Sequence, residues 1–324
     1  MKVDLEPAAV RGFRFAGVSA GLKTTPDALD LGLIVADRPA SAAAVFSANR
    51  VKAAPVYVTA ERVKSGRLQA IVANSGCANS FTGKAGMHLA RESCAEVARL
   101  LGCVPELVVP SSTGVIGHLY DFEKFKAGAA QAARAIREDG LGDFARAIMT
   151  TDTRPKTAST TFKAGGATIT LAGAVKGVGM ISPNMATMLG YLMTDATIAP
   201  ARLRRSLKSA LPNSFNAITV DGDMSTNDTV IIMASGAAQN RAFTAREQAS
   251  FDRAVEEISA ALARELVRDG EGATKLVTVE VRGARSAADA ERAARKIANS
   301  PLVKTAFFGC DPNVGRILMA AGSS

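Results

Sequence analysis

Hydrophobic positions in this chain change period several times, and the changes divide it into short elements. Between Gly12 and Leu68 the apolar stretches GLIVAD, AAAVFSAN and APVYVTA are brief and separated by Gly, Pro and Asn, which predicts strands joined by turns. LQAIVANSG reads as a further strand that runs into a glycine-bearing turn. Beyond it Met87, Ala90, Cys94, Val97 and Leu101 recur at three- and four-residue steps, the spacing of one helix face. Leu107 to Val109 predict a buried strand ending in a loop that offers Ser111, Ser112, Thr113 and Gly114. A helix capped by Asp121 is expected to run to about Asp139, with Phe122, Phe125, Ala129, Ala132 and Ile136 on its apolar face.

The second half continues the alternation. TFKAGGATITLAGAVKG has the form of a hairpin, and an apolar run opens at Thr187. Pro200 starts a helix carrying Leu203, Leu207, Ala210 and Leu211. SFNAITVDGDMSTNDTVIIMASG reads as a polar loop between two strands. A long helix follows, opened by a Thr244/Glu247 capping box, lined by Phe251, Val255, Ile258, Leu262 and Leu266, and stopped at Asp269-Gly270. EGATKLVTVEVRGARS predicts loop, strand and turn; Ser286 with Asp289 starts another helix, LVKTAFFG a last strand, and DPN a turn into GRILMAAG. The expected class is α/β, with mixed sheets layered with helices.

At 324 residues the chain can form one large domain or two to three smaller ones, and 48% hydrophobic against 21% charged residues allows a sizeable core. An excess of 39 basic over 30 acidic residues gives a formal charge of +9, which raises nucleic acid or an acidic substrate as partners. The basic residues are scattered, however; the densest run is ARLRRSLK, and there is no Trp to interleave, so a solvated basic surface with no nucleic-acid role is expected. Cys77, Cys94, Cys103 and Cys310 lack metal-site or disulfide spacing and read as buried thiols in a reducing compartment. No apolar run reaches the roughly 20 residues of a membrane span, and MKVDLEPAAVRGF is too polar for a signal peptide. A cytoplasmic protein without a membrane partner follows as the expectation.

Several motifs carry less than they suggest. Asp221, Asp223 and Ser225 start like a calcium loop, but Thr226 and Ile232 occupy its glycine and glutamate positions. KGVGMIS has Ser182 where a dinucleotide fingerprint needs its third glycine, and Gly83-Lys84 is preceded by Ala78 and followed by Ala85, which excludes a Walker loop. His88 and His118 read as structural or surface residues. Asn74, Asn79 and Thr82 either line a site or satisfy their own backbone.

The densest chemical signal is Lys176 to Asp195, KGVGMISPNMATMLGYLMTD. Gly177, Gly179, Pro183 and Asn184 crowd in front of Ala186 and Thr187, residues suited to a sharp reversal that delivers Thr187 to a strand edge. A threonine hydroxyl becomes a nucleophile when a base sits beside it, and its own α-amino group, titrating at about 7.7 to 8.0 in model peptides, can serve. That amine is released only by cutting the Ala186-Thr187 bond. The bland alternative is a turn into a buried strand with an incidental threonine. The loop of Ser111, Ser112, Thr113 and Gly114 has the chemistry to aim a hydroxyl and an N–H at an oxyanion, or forms a plain polar turn. Thr150, Thr151 and Thr153 suit a carboxylate or amide, although threonine is also ordinary strand material.

KGVGMISPNMATMLGYLMTDA resembles the self-cleavage segment of the ornithine acetyltransferases, also called glutamate N-acetyltransferases, the bifunctional enzymes of arginine biosynthesis. AGVSAGLK, VFSANRVKAAPV, IVANSGCANSFTG, SSTGVIG, IMTTDTRPK, DGDMSTNDT, EGATKLV and DPNVGRIL resemble family segments in the family's order, over nearly the whole chain. The resemblance implies a fold arranged like the N-terminal-nucleophile hydrolases and a precursor cut into an α part, 1 to 186, and a β part, 187 to 324, in a heterotetramer of two α and two β. It implies Thr187 as nucleophile, Thr113 and Gly114 as the oxyanion hole, and Thr150 (or its neighbour), Lys176 and Glu271 as substrate contacts. The implied reaction passes acetyl from N2-acetylornithine to glutamate through an acetyl-threonine ester, with acetyl-CoA open as a second donor and no metal or bound cofactor. Family members continue past DPN-x-GRIL, where their terminal stretch supplies an asparagine and a threonine to the pocket; only Met319 to Ser324 follow Leu318 here. Poor acetyl transfer by a shortened chain, an inactive uncut relic, and an aminopeptidase-like hydrolase are the rival expectations.

Overall fold

The computed structural model describes residues 2–182 and 188–324. Among the described residues eight strands form one sheet: β1 (Phe13–Val18), β2 (Leu31–Phe46), β3 (Arg67–Cys77), β4 (Val108–Val115), β5 (Lys156–Ala164), β6 (Ala167–Lys176), β7 (Leu189–Thr194) and β8 (Thr229–Ala234), in the order β4-β3-β2-β8-β7-β6-β5 with β1 also on β2. β3/β4 and β7/β8 are parallel and the other pairs antiparallel. The long β2 joins the halves. Its first residues pair with β1 and β3, its register shifts between Val35 and Ala40, and Ser41 to Phe46 then pair with β8.

Strand alternation sorts the apolar residues into layers, because successive side chains point to opposite faces. Leu33, Val35, Ala70 and Val72 pack outward against α1 (Ala54–Arg62), α2 (Gly83–Leu101) and α3 (Phe122–Ala135). Their neighbours Ile34, Ala36, Ile71 and Ala73 face a central cluster shared with Ala172, Ala174, Tyr191, Met193, Ile231 and Met233, into which α4 (Leu141–Ala147) inserts Leu141 and Phe144. On the far side Leu171, Val175, Leu192, Val230 and Ile232 meet α5 (Pro200–Ala210) and α6 (Ala245–Arg268). The result is a curled sheet with apolar packing between its halves and helices outside each. A smaller cluster, centred on Ile297, Val303 and Ala320, gathers α7 (Ala287–Ala298), α8 (Pro301–Phe308) and α9 (Val314–Gly322).

Several sequence expectations hold, including the α2 face, the β5/β6 hairpin, the Asp121 cap and the Thr244/Glu247 capping box. Others are corrected. APVYVTA is helix α1, with Pro55 in the first turn, where its missing N–H costs nothing. Ser111 to Gly114 are strand, since β3 continues to offer partners as far as Gly76. α3 ends at Ala135, short of Asp139, because Arg137 exchanges both backbone hydrogen bonds with Phe15. SFN leads into a 3-10 turn over Phe215–Ala217, so only one strand flanks the DGDMSTNDT loop. KLVTVEV forms no strand, and LVKTAFFG is helix α8, started by the Ser300 cap and Pro301. Cys77 and Cys94 are buried as expected, but Cys103 is half-buried and Cys310 exposed.

Candidate active site

The end of β6 carries Lys176 into the interior, 3% exposed. Its ammonium donates to Thr113 Oγ1 (3.0 Å) on β4 and Thr150 Oγ1 (2.8 Å) after α4, and lies 3.9 Å from Asp152 Oδ2. Three residues named from sequence, far apart in the chain, thus converge on one nitrogen. Gly114, the fourth, sits where β3 and β4 come closest: its φ is +127°, and a Cβ there would lie 2.3 Å from the Gly76 carbonyl carbon. Only glycine fits both the backbone angle and the approach.

Glu271 follows α6 in an exposed loop, tied by its N–H to the Val178 carbonyl (2.9 Å) and accepting at Oε1 from Thr151 Oγ1 (2.7 Å). Its carboxylate packs against Gly179, where a Cβ would approach within 3.1 Å. It therefore lies beside the glycine segment that leads toward residue 183. Ala186 and Thr187 lie outside the described residues. The next residue described, Met188, donates its N–H to Asp228 Oδ1 (3.0 Å) and accepts from Thr229 N (3.1 Å).

Other candidates separate from this centre. Thr153 turns to Asp269, with its N–H to Oδ2 (3.0 Å) and its hydroxyl to Oδ1. Asn74 bonds Cys77 O and accepts from Ser112, and Asn79 bonds Gly86 O and accepts from Thr82, so these polar groups hold the β3–α2 connection together. His88 is a surface partner of Glu92.

Sequence reasoning missed the buried charges behind the site. Lys156, paired with Val175 across the β5/β6 ladder, lies between Asp152 Oδ1 (2.7 Å) and Asp269 Oδ2 (2.5 Å). Asp152 also accepts from Thr150 N (3.0 Å) and Gly177 N (2.8 Å). Burial pushes the Asp152 carboxyl upward, but the Lys176 and Lys156 ammoniums and the Thr150 N–H outweigh it and hold it below its ordinary value. Burial pushes the Lys176 ammonium the other way, below the usual lysine range, while Asp152 supports its charge. Asp228, its Oδ2 buried and without a hydrogen-bond partner among the described residues, is raised well above its ordinary value by burial, against the Met188 N–H. A signal existed: Asp152 stands among threonines and Asp228 directly before an apolar strand. Spacing alone gives no view of which charges a fold will bury together.

The ArgJ family model matches residues 14–324. The "Arginine biosynthesis bifunctional protein ArgJ" of Geobacter sulfurreducens is 52% identical over 317 residues, covering 97% of this chain and 80% of that protein. A crystal structure of the ornithine acetyltransferase of Mycobacterium tuberculosis complexed with ornithine superposes with a TM-score of 0.51 at 35% identity, over 56% of this chain and 98% of that one. The L-aminopeptidase D-Ala-esterase/amidase of Ochrobactrum anthropi, a variant of the Ntn-hydrolase fold, gives 0.54 at 13% identity over 82% of this chain and 87% of that one, a likeness of fold. Family model and sequence identity agree, and the chain belongs to the ArgJ family, bifunctional acyltransferases of arginine biosynthesis.

Proposed function

We propose that Thr187 is the nucleophile of this acyltransferase, freed by self-cleavage at Ala186-Thr187 into parts 1 to 186 and 187 to 324, and that it carries acetyl from N2-acetylornithine to glutamate. The observation that carries this reading is the convergence of the Thr113 and Thr150 hydroxyls on the buried Lys176 ammonium. Glu271 stands at the glycine segment leading to the proposed cleavage point.

In the first half-reaction the Thr187 hydroxyl attacks the acetyl carbonyl carbon and passes its proton to its own α-amino group. The tetrahedral oxyanion is met by the Thr113 hydroxyl and the Gly114 N–H, donors that count most once charge has developed. The C–N bond breaks, the proton goes to the departing amine, and ornithine leaves an acetyl-threonine ester. Glutamate's amine then attacks the ester and regenerates Thr187. Thr150 and Lys176 hold substrate polar groups, and Glu271 receives an ammonium. No bound cofactor is needed, acetyl-CoA being a candidate second donor. The setting is the cytoplasm, in an assembly of two α and two β chains; among the described residues no helix is long and apolar enough to cross a membrane.

Denaturing mass spectrometry should show pieces of 186 and 138 residues, 138 being 324 less 186, and Thr187→Ala should stay whole and inactive. Initial rates with both substrates varied should give parallel double-reciprocal lines. One uncut polypeptide with full activity, or cutting elsewhere, overturns the assignment. Acetate released in place of acetylglutamate indicates a hydrolase instead.

A further inference from the structure

Lys176 has three N–H groups and no lone pair while charged. Two go to Thr113 and Thr150, and the third side of the ammonium faces Asp152. Thr113 Oγ1 is therefore an acceptor toward the interior, and its own proton must point elsewhere. A neutral lysine would have a lone pair with which to accept that proton, turning the hydroxyl inward. The direction in which Thr113 donates depends on the charge of Lys176.

The groups facing Lys176 come from several elements. Asp152 precedes β5, Lys156 lies on β5, Lys23 stands in the loop before β2, and Asp228 stands before β8. Lys156 and Lys23 oppose a charged Lys176; Asp152 and Asp228 favour it. Asp269 shares Lys156 with Asp152, and Asp152 is the carboxylate that reaches both Lys156 and Lys176. Through Thr150 N and Gly177 N it also fixes the backbone beside two of the residues involved.

We propose that Asp152 is a positioning residue which, by keeping Lys176 in its ammonium form, turns the Thr113 hydroxyl outward as a committed oxyanion donor. The proposal rests on the oxyanion role of Thr113 stated above. It extends the role of Lys176 from holding substrate to polarising a donor. Charge on Lys176 is present below its folded pKa and lost as pH rises through it, so the donor is lost on the alkaline side. Removing the Asp152 charge moves that loss to lower pH.

The measurement is the pH dependence of the single-turnover ornithine burst from acetylornithine without glutamate, on cleaved protein of this chain. Asp152→Asn should move the alkaline limb down by about one pH unit and lower the burst rate by about tenfold, less than the ~10²–10³ that loss of an oxyanion donor costs, with little change in acetylornithine binding. In the Thr113→Ala background the same substitution should cost almost nothing further. Lys176→Met offers an independent route: its profile should lose the alkaline limb, and its loss should overlap that of Thr113→Ala. A full burst rate in Thr113→Ala removes the oxyanion reading itself. A reduced rate in that variant, with an unmoved limb in Asp152→Asn, overturns this proposal alone, as does a simple sum of losses in either double variant.

Discussion

LGYLMT of β7 and KLVTVEV at 275–281 are both short, apolar and rich in strand formers, yet only the first is a strand. All six residues of β7 are buried, with β6 on one side and β8 on the other. In 275–281, Leu276 and Val277 are about 40% exposed, and only Val279 and Val281 pack, against the small cluster of α7 to α9. Strand propensity largely reports how a side chain fits a half-buried pleated surface. Where no neighbouring strand supplies that surface, the same residues remain irregular.

Truncating the two runs tests this directly. Leu192→Ala should cost about 2–5 kcal/mol in urea unfolding, the usual toll of a buried leucine; a loss below ~1 kcal/mol would mean the layer between the sheet and α5 and α6 is far looser than its burial implies. Limited trypsin digestion offers a second comparison. Lys275, Arg282 and Arg285 lie in exposed chain outside any helix or strand, and cuts there should precede cuts in β5 to β8. Early cleavage within the layered body at comparable rates would erase the distinction.

Asp228 sharpens the picture at the start of β7. Its raised pKa means that the folded chain keeps a proton that the unfolded chain loses above about pH 4. The folded state binds more protons in that window, so this group makes stability fall as pH rises from about 4 toward the elevated folded value. Asp228→Asn keeps an acceptor for Met188 and cannot titrate, so its stability should fall less steeply, by up to ~1.4 kcal/mol per pH unit. Identical slopes for the two proteins between pH 4.5 and 7 would show the carboxyl to be ionised in the fold. The smallest effect belongs to the exposed run: Val277→Ser should shift stability by no more than ~0.5 kcal/mol, and a cost near that of Leu192→Ala would require a packed partner for 275–281.

Two lysines illustrate what sequence reading reached and missed in the site. Lys176 is singled out by the resemblance of its segment, and in the fold its ammonium donates to Thr113 and Thr150. Lys156 drew no notice. It closes the IMTTDTRPK segment without a role assigned there and acquires meaning only because antiparallel pairing sets it opposite Val175, next to Lys176, while α6 brings Asp269 from 113 residues away. Glu271 was legible as a charged residue beside glycines, and its link to Thr151 was not.

The chain's own pattern determined the elements whose signal is local. The capping box of α6 needs only Thr244 and Glu247 three residues apart, the α2 face needs only its spacing, and the β5/β6 hairpin needs only Gly165-Gly166 between two alternating runs. These depend on contacts within one turn or one reversal. Tertiary structure alone decided whether APVYVTA became helix, whether Ser111 to Gly114 stayed in the sheet, whether α3 stopped at Ala135, and whether KLVTVEV found a partner. It also decided which charges were buried together, because burial energy depends on neighbours that the linear chain does not name.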